Sequence, residues 1–373
     1  MRSTHTQRLP QYLQKLENTD MFNMIITGKC SKNCSFCFTE EEARKEKKYD
    51  DMSLDYIKEI VEKYEYKKRG HVLKLLGGEP TEHPQFLDII EYAAKEQIPV
   101  YLISNFLFGT KIQEGILKHI DTFTSFLVNG AELAEKNRLK NFAKNFNKIA
   151  YQFARSKQGG KQKFTLAQTI PDTHYDVINF TEYLKSLKRE LDFSNLGNIR
   201  IGLGLSGTYL LHNKKLGDKV AEILRFNREN RLGTQFDCQF PPCIFTDEHF
   251  KEFETPSFSL WNNVTANPDA KTFPGGICHM PAFDLMPDET LLYCYQTQSA
   301  ISPKLPDLEK SVDPETLKDS FIGKLGAGLD HVVSQRLRAS YLEEREKRPT
   351  LDECKSCHLY PQYCGSLCLG CYL

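Results

Sequence analysis

No stretch of the chain reaches the roughly 18 consecutive apolar residues that span a bilayer, and the opening MRSTHTQRLPQYLQ lacks the apolar centre of a signal peptide. A cytoplasmic protein with no membrane partner is therefore expected. Charge of one sign is also missing: 49 basic and 49 acidic residues cancel, which argues against a general affinity for nucleic acid or anionic lipid. There is no internal repeat or low-complexity tract. Cysteine is absent from 38 to 237, although the chain has twelve. Three lie at 30–37 and nine at 238 and beyond, a clustering that small apolar filler would not show. In a reducing compartment such clusters are better explained as metal ligands or catalytic thiols than as disulfides.

What is present from Met21 to about 230 is an alternation of short apolar runs and amphipathic stretches, the pattern of β–α units around a parallel sheet. The runs MFNMIIT (21–27), VLKLLG (72–77), VYLIS (100–104), FTSFLVN (123–129), FTLAQTI (164–170) and IRIGLGL (199–205) predict six strands. Helical periodicity follows each: 54–66 behind a Ser53 N-cap, then 84–96, 111–119, 131–149, 174–191 and 217–230. Six such units suggest a partial (β/α)6 barrel with its functional groups on the loops at the C-terminal strand ends. A doubly wound sheet gives the same periodicity. At 373 residues two domains are expected. After Leu232 proline, glycine, asparagine and cysteine accumulate, which sets a short extension at 1–20, a catalytic domain at 21–232 and a cysteine-rich domain at 233–373.

GKCSKNCSFCF at 28–38 places Cys30, Cys34 and Cys37 on the loop after the first strand. Thiolates suit iron–sulfur clusters and zinc, and a four-iron cube takes one cysteine per iron. Three cysteines leave one iron open to an outside ligand; the alternative is a zinc site completed by a distant residue.

The CxxxCxxC spacing, with the aromatic Phe36 before the third cysteine and Gly77-Gly78-Glu79-Pro80 at the end of the second strand, resembles the radical S-adenosylmethionine (SAM) enzymes. The resemblance implies that the open iron binds the amino and carboxylate groups of SAM and that the Gly77, Gly78, Glu79 segment contacts its amino group. Glycines let backbone approach a ligand closely, and Glu79 offers an acceptor to an ammonium. By the same resemblance Ser104 and Asn105 meet the SAM ribose. Asn129 ends the fourth strand where relatives often carry a polar residue, and Arg138 is a candidate for the SAM carboxylate; Leu127 stands where many relatives have serine.

Cys278, Cys294 and Cys354-x2-Cys357-x6-Cys364-x3-Cys368-x2-Cys371 resemble the SPASM extension, which holds two auxiliary four-iron clusters. The spacing before Cys364 is one residue longer than usual, the last gap is short, and Glu289 stands where a glycine is common. The resemblance assigns Cys278, Cys294 and Cys368 to one cluster, with Cys354, Cys357, Cys364 and Cys371 on the other; a zinc ribbon is the alternative for part of this set. Three cubes with SAM on one iron use at most eleven cysteines, leaving at least one spare between Cys238 and Cys243, and both if the first auxiliary cluster keeps an open iron for substrate. Cys243 is assigned as the fourth ligand of the first auxiliary cluster. Cys238 is a candidate thiol that donates a hydrogen atom to a substrate radical, with packing as its bland alternative.

This resemblance implies reductive cleavage of SAM to a 5′-deoxyadenosyl radical and hydrogen abstraction from a peptide or protein side chain, as in thioether or carbon–carbon crosslinking or in oxidation. An electron donor such as flavodoxin or ferredoxin is implied. The roughly 20 residues before the first strand are too few for a fused leader-binding domain, so a leader peptide is expected to use a separate leader-binding protein or to bind the catalytic domain directly. A small-metabolite dehydrogenase or epimerase and a non-catalytic electron carrier are the competing readings.

Overall fold

The computed structural model describes residues 22–32, 34, 37, 50–130, 136–160, 163–170, 185–203, 213–236, 240–255, 258–260, 283–292 and 352–356. Phe36, Cys238, Cys278, Cys294, Cys357, Cys364, Cys368 and Cys371 lie outside these residues.

The six expected strands form, as β1 (Phe22–Ile25), β2 (Leu73–Leu76), β3 (Val100–Ser104), β4 (Phe123–Asn129), β5 (Phe164–Ile170) and β6 (Asn198–Leu203). Three more join the same sheet past residue 232. These are β7 (Gly233–Phe236), β10 (Phe283–Leu285) and β11 (Leu291–Leu292), while β8 (Glu254–Thr255) and β9 (Phe258–Ser259) make a separate two-stranded ladder. The order is β11-β10-β1-β2-β3-β4-β5-β6-β7. Every neighbouring pair is parallel except β10 with β11. Among the described residues the sheet thus holds the six expected strands and two further parallel ones, and β1 is an interior strand.

The helices between strands are α1 (Leu54–Lys63), the single turn α2 (Tyr66–Arg69), α3 (Phe86–Glu96), α4 (Thr110–Lys118), α5 (Lys136–Phe153) and α6 (Lys214–Glu229). Residues 185–190 are helical as well. α1 starts as its sequence predicts: the Ser53 hydroxyl accepts the Tyr56 N–H at 3.1 Å. Two short helices, α7 (Asp247–Glu252) and α8 (Asp352–Lys355), lie beyond β7.

Strand alternation divides the sheet into two faces. Met24, Leu75, Leu102, Phe126, Val128, Leu166 and Ile201 point outward into one large core shared with the helices, where Phe106, Phe126, Phe146, Phe153 and Phe164 meet edge to face or tilted. The inner face is not uniform. On the β10–β3 side, Ile25, Leu76 and Met286, with Ile103, form a small apolar cluster. In register beyond it, β5, β6 and β7 present Thr165, Ala167, Thr169, Asn198, Arg200, Gly202, Gly233 and Gln235. None of these is a large apolar side chain, so that wall is not packed as a closed core is.

Candidate functional site

Three loops leave the C-terminal ends of β1, β2 and β3, and they are built against one another. The loop after β1 carries Cys30, Cys34 and Cys37, each half-buried, with Cys37 N–H donating to Cys34 O at 3.1 Å. The β2 loop runs alongside it: Gly78 N–H donates to Thr27 O at 2.8 Å and Glu79 N–H to Lys29 O at 2.7 Å. This contact requires both glycines. A Cβ on Gly77, whose φ is +149°, would sit 2.4 Å from Thr27 O, and one on Gly78 would sit 2.3 Å from Lys29 O. Sequence reasoning gave the glycines to close approach of a ligand; the backbone they admit is that of the cysteine loop itself.

Glu79 is 2% exposed. Its Oε1 accepts from Thr81 N–H (3.1 Å), Thr81 Oγ1 (2.6 Å) and Ser104 Oγ (2.8 Å), and its Oε2 accepts from Asn105 N–H (2.7 Å). Burial pushes the carboxyl above its ordinary range while these four donors oppose the rise. The resemblance expects this carboxylate to accept from a SAM ammonium; in this structure its donors are Thr81, Ser104 and Asn105 of the β2 and β3 loops. Glu79 ties the β2 loop to the β3 loop and supports the site from beneath. The Ser104 hydroxyl donates to Glu79 and accepts Phe106 N–H at 3.1 Å. Asn105 keeps a link to the cysteines. Its Oδ1 accepts Leu107 N–H at 2.8 Å, and its Nδ2 donates to Cys30 Sγ at 3.9 Å.

A second set of braces was not foreseen. Asp51 accepts from Thr27 Oγ1 at 2.6 Å and from Lys29 Nζ at 2.5 Å, and Glu82 Oε1 accepts Ser31 N–H at 2.7 Å. Partial burial raises the Asp51 carboxyl, but the Lys29 and Thr27 hydrogen bonds outweigh it and hold its pKa below the usual carboxylate value. His83 Nδ1 accepts Gln85 N–H at 3.0 Å, which leaves Nε2 as the donor to Met52 O at 3.0 Å. Burial holds His83 in the neutral form, its pKa below the ordinary value. The signal for these residues lay in GGEPTEH, where Thr81, Glu82 and His83 follow the motif directly.

The remaining expected residues divide. Asn129 ends β4 half-buried on the inner face, in register with Ala167 and, through it, Arg200. Arg138 lies in the first turn of α5. Cys243 is half-buried, its carbonyl accepting Lys214 Nζ at 3.0 Å, and Cys354 is buried in α8.

Three thiols on one loop suit a four-iron cube, which takes each thiolate on a different iron; among the described residues no three His, Cys, Asp or Glu side chains are gathered about one point. Burial, the largest influence, pushes the Cys30 thiol up to about 11, with the charges of Glu79 and Glu82 adding to it. A bare thiol is therefore protonated there at neutral pH, and bound metal cation is what would hold it as the thiolate ligand.

Residues 24–131 match the family model of the Radical SAM superfamily. The chain carries a radical SAM domain. The matched segment holds the three cysteines, Gly77 to Glu79, Ser104, Asn105 and Asn129, the loop ends just described. No curated protein matches the chain. Among solved structures it is similar to Streptococcus suis SuiB, at 15% identity and a TM-score of 0.55, covering 96% of this chain and 76% of that one. It is also similar to SuiB bound to S-adenosylmethionine (13% identity, TM-score 0.54, 96% and 76% covered). For SuiB bound to its precursor peptide SuiA the values are 14%, 0.53, 96% and 74%. At these identities the likeness establishes the fold alone.

Proposed function

We propose that this radical SAM enzyme modifies a side chain of a peptide or protein in the maturation of a ribosomally made peptide. The observation that carries the reading is that the fold of a chain crystallised with its precursor peptide extends over 96% of this one. The inner wall of β5–β7 supports it, because Thr165, Asn198, Arg200 and Gln235 make that face polar, as contact with the many amide groups of a polypeptide requires.

Cys30, Cys34 and Cys37 would hold a four-iron cluster, and Cys243, Cys278, Cys294, Cys354, Cys357, Cys364, Cys368 and Cys371 would hold two auxiliary ones. Bound cluster and SAM supply reductive cleavage of SAM and hydrogen abstraction from the substrate. The protein's own part is placement: Gly77 and Gly78 seat the cysteine loop, Glu79 fixes the β2 and β3 loops, and Asn105 faces Cys30. The reading includes an electron donor such as a flavodoxin or ferredoxin, a leader bound by a separate carrier or by the catalytic domain itself, and a cytoplasmic setting. Among the described residues no helix is long and apolar enough to cross a membrane.

Co-expressing the chain with a short peptide encoded beside it, and weighing that peptide, tests the substrate class. A changed mass is expected; an unchanged mass with 5′-deoxyadenosine still formed from SAM would transfer the reading to a small metabolite. Anaerobically reconstituted protein should hold about twelve irons, three cubes, and about four would refute the auxiliary clusters.

A further inference from the structure

Directly after Asn105 the backbone does something costly. Phe106 has φ +57°, a left-handed conformation that disfavours any side chain by about 1–2 kcal/mol, yet it is a fully buried aromatic. Such a residue persists only where its surroundings over-determine it. Its ring is packed against Phe108, Phe126 and Phe164. Its backbone is held by a residue of α5: Asn145 Nδ2 donates to Phe106 O at 2.8 Å and to Phe108 O at 2.9 Å. The Asn145 carboxamide is itself oriented, since its Oδ1 accepts Gln113 Nε2 at 2.7 Å while Gln113 Oε1 accepts Lys148 Nζ at 3.1 Å. Asn145 is buried on the apolar stripe of α5, between Phe142 and Ile149. A polar group there serves the loop above it.

That turn fixes Asn105. With its N–H on Glu79 and its Oδ1 on Leu107 N–H, the Asn105 side chain is left with its amide nitrogen toward Cys30 Sγ. An N–H donor stabilises the sulfur ligand more in the reduced, more negative cluster than in the oxidised one, and so raises the reduction potential. We propose that Asn145 is a positioning residue that, through the Phe106–Phe108 turn, holds the Asn105 amide against the Cys30 sulfur and thereby raises the potential of the cluster that Cys30 ligates. The inference rests on the reading of Cys30, Cys34 and Cys37 as ligands of the SAM-binding cluster.

The test uses the full chain, reconstituted anaerobically, as wild type, Asn145→Leu, Gln113→Leu, Asn105→Ala and the Asn145→Leu/Asn105→Ala pair. The midpoint potential of the cluster whose spectrum responds to SAM is measured beside iron content and melting temperature. Asn145→Leu and Asn105→Ala should each move the potential to more negative values with iron content unchanged, Gln113→Leu should move it less in the same direction, and the pair should move it no further than the larger single change. If Asn145→Leu does not fold, Gln113→Leu and Asn105→Ala decide. A melting temperature that falls while the potential stays fixed would reduce Asn145 to a structural residue. A shift in Asn145→Leu without one in Asn105→Ala would overturn the route through Asn105. A wild-type protein with no SAM-responsive cluster would instead remove the reading beneath the proposal.

Discussion

The turn leaving β2 and the turn joining β10 to β11 make different demands on the same kind of position. At Gly78 the constraint is crowding: backbone of the cysteine loop occupies the space a Cβ needs, 2.3 Å away. At Glu289 it is conformation alone: φ is +67°, and a non-glycine residue sits there. Its turn is closed by Met286 N–H to Thr290 O and Glu289 N–H to Met286 O, with Asp288 accepting Thr290 N–H. A left-handed residue carries a penalty that a folded protein tolerates, whereas overlap with backbone has no side chain that can swing aside. Glycine is therefore a requirement in the first turn and a preference in the second.

The largest effect should come from Gly78→Ala, which forces the two loops apart at a cost of about 3 kcal/mol or more. Iron bound by the purified protein should fall by about four per chain, and retention of full iron would break the distinction between the turns. Next comes Glu79→Gln. Whichever side its NH2 takes, it meets a backbone donor, Thr81 N–H or Asn105 N–H, so a loss of about 1–3 kcal/mol is expected in denaturant unfolding. Glu289→Gly runs the other way, gaining about 1 kcal/mol by relief of the left-handed strain; a loss would show that Glu289 does more than fill the turn. The smallest is a change of slope. His83 is held neutral with its pKa depressed, so the stability it contributes is present above its unfolded value of about 6.5 and is lost as pH falls through the lower folded one. His83→Gln should flatten the acid side of a melting-temperature profile, and an unchanged profile would remove His83 from the brace.

Much of this architecture was legible because it is written in repeating patterns. β1 to β6 each carry a run of apolar residues long enough to register, and β3, β4 and β5 begin and end where those runs do. β7, reading GTQF, and β10, reading FDL, have no such run. They are set by pairing with β6 and β1, which is tertiary information. The cysteines and GGE were visible as a motif, but what Glu79 does was not, because its partners come from 25 and 26 residues away. Asn145 could have been found. It interrupts an apolar stripe that continues through Phe142, Phe146 and Ile149, and a polar residue in that position asks what it bonds.

The parallel pairing of β10 with β1 has a consequence for how the protein is made. Asn23 and Asp284, hydrogen-bonded across that ladder at 2.8 Å, are 261 residues apart in the chain. A ribosome adding roughly 5–20 residues per second therefore releases β1 tens of seconds before the strand that covers its open side. During that interval β1, the support of the cysteine loop, is an edge strand, exposed to mispairing in the way unpaired edges are. Completion of the sheet beside the cysteine loop thus waits on residues 283–285, and misfolding is expected where synthesis outruns chaperone cover of that one edge.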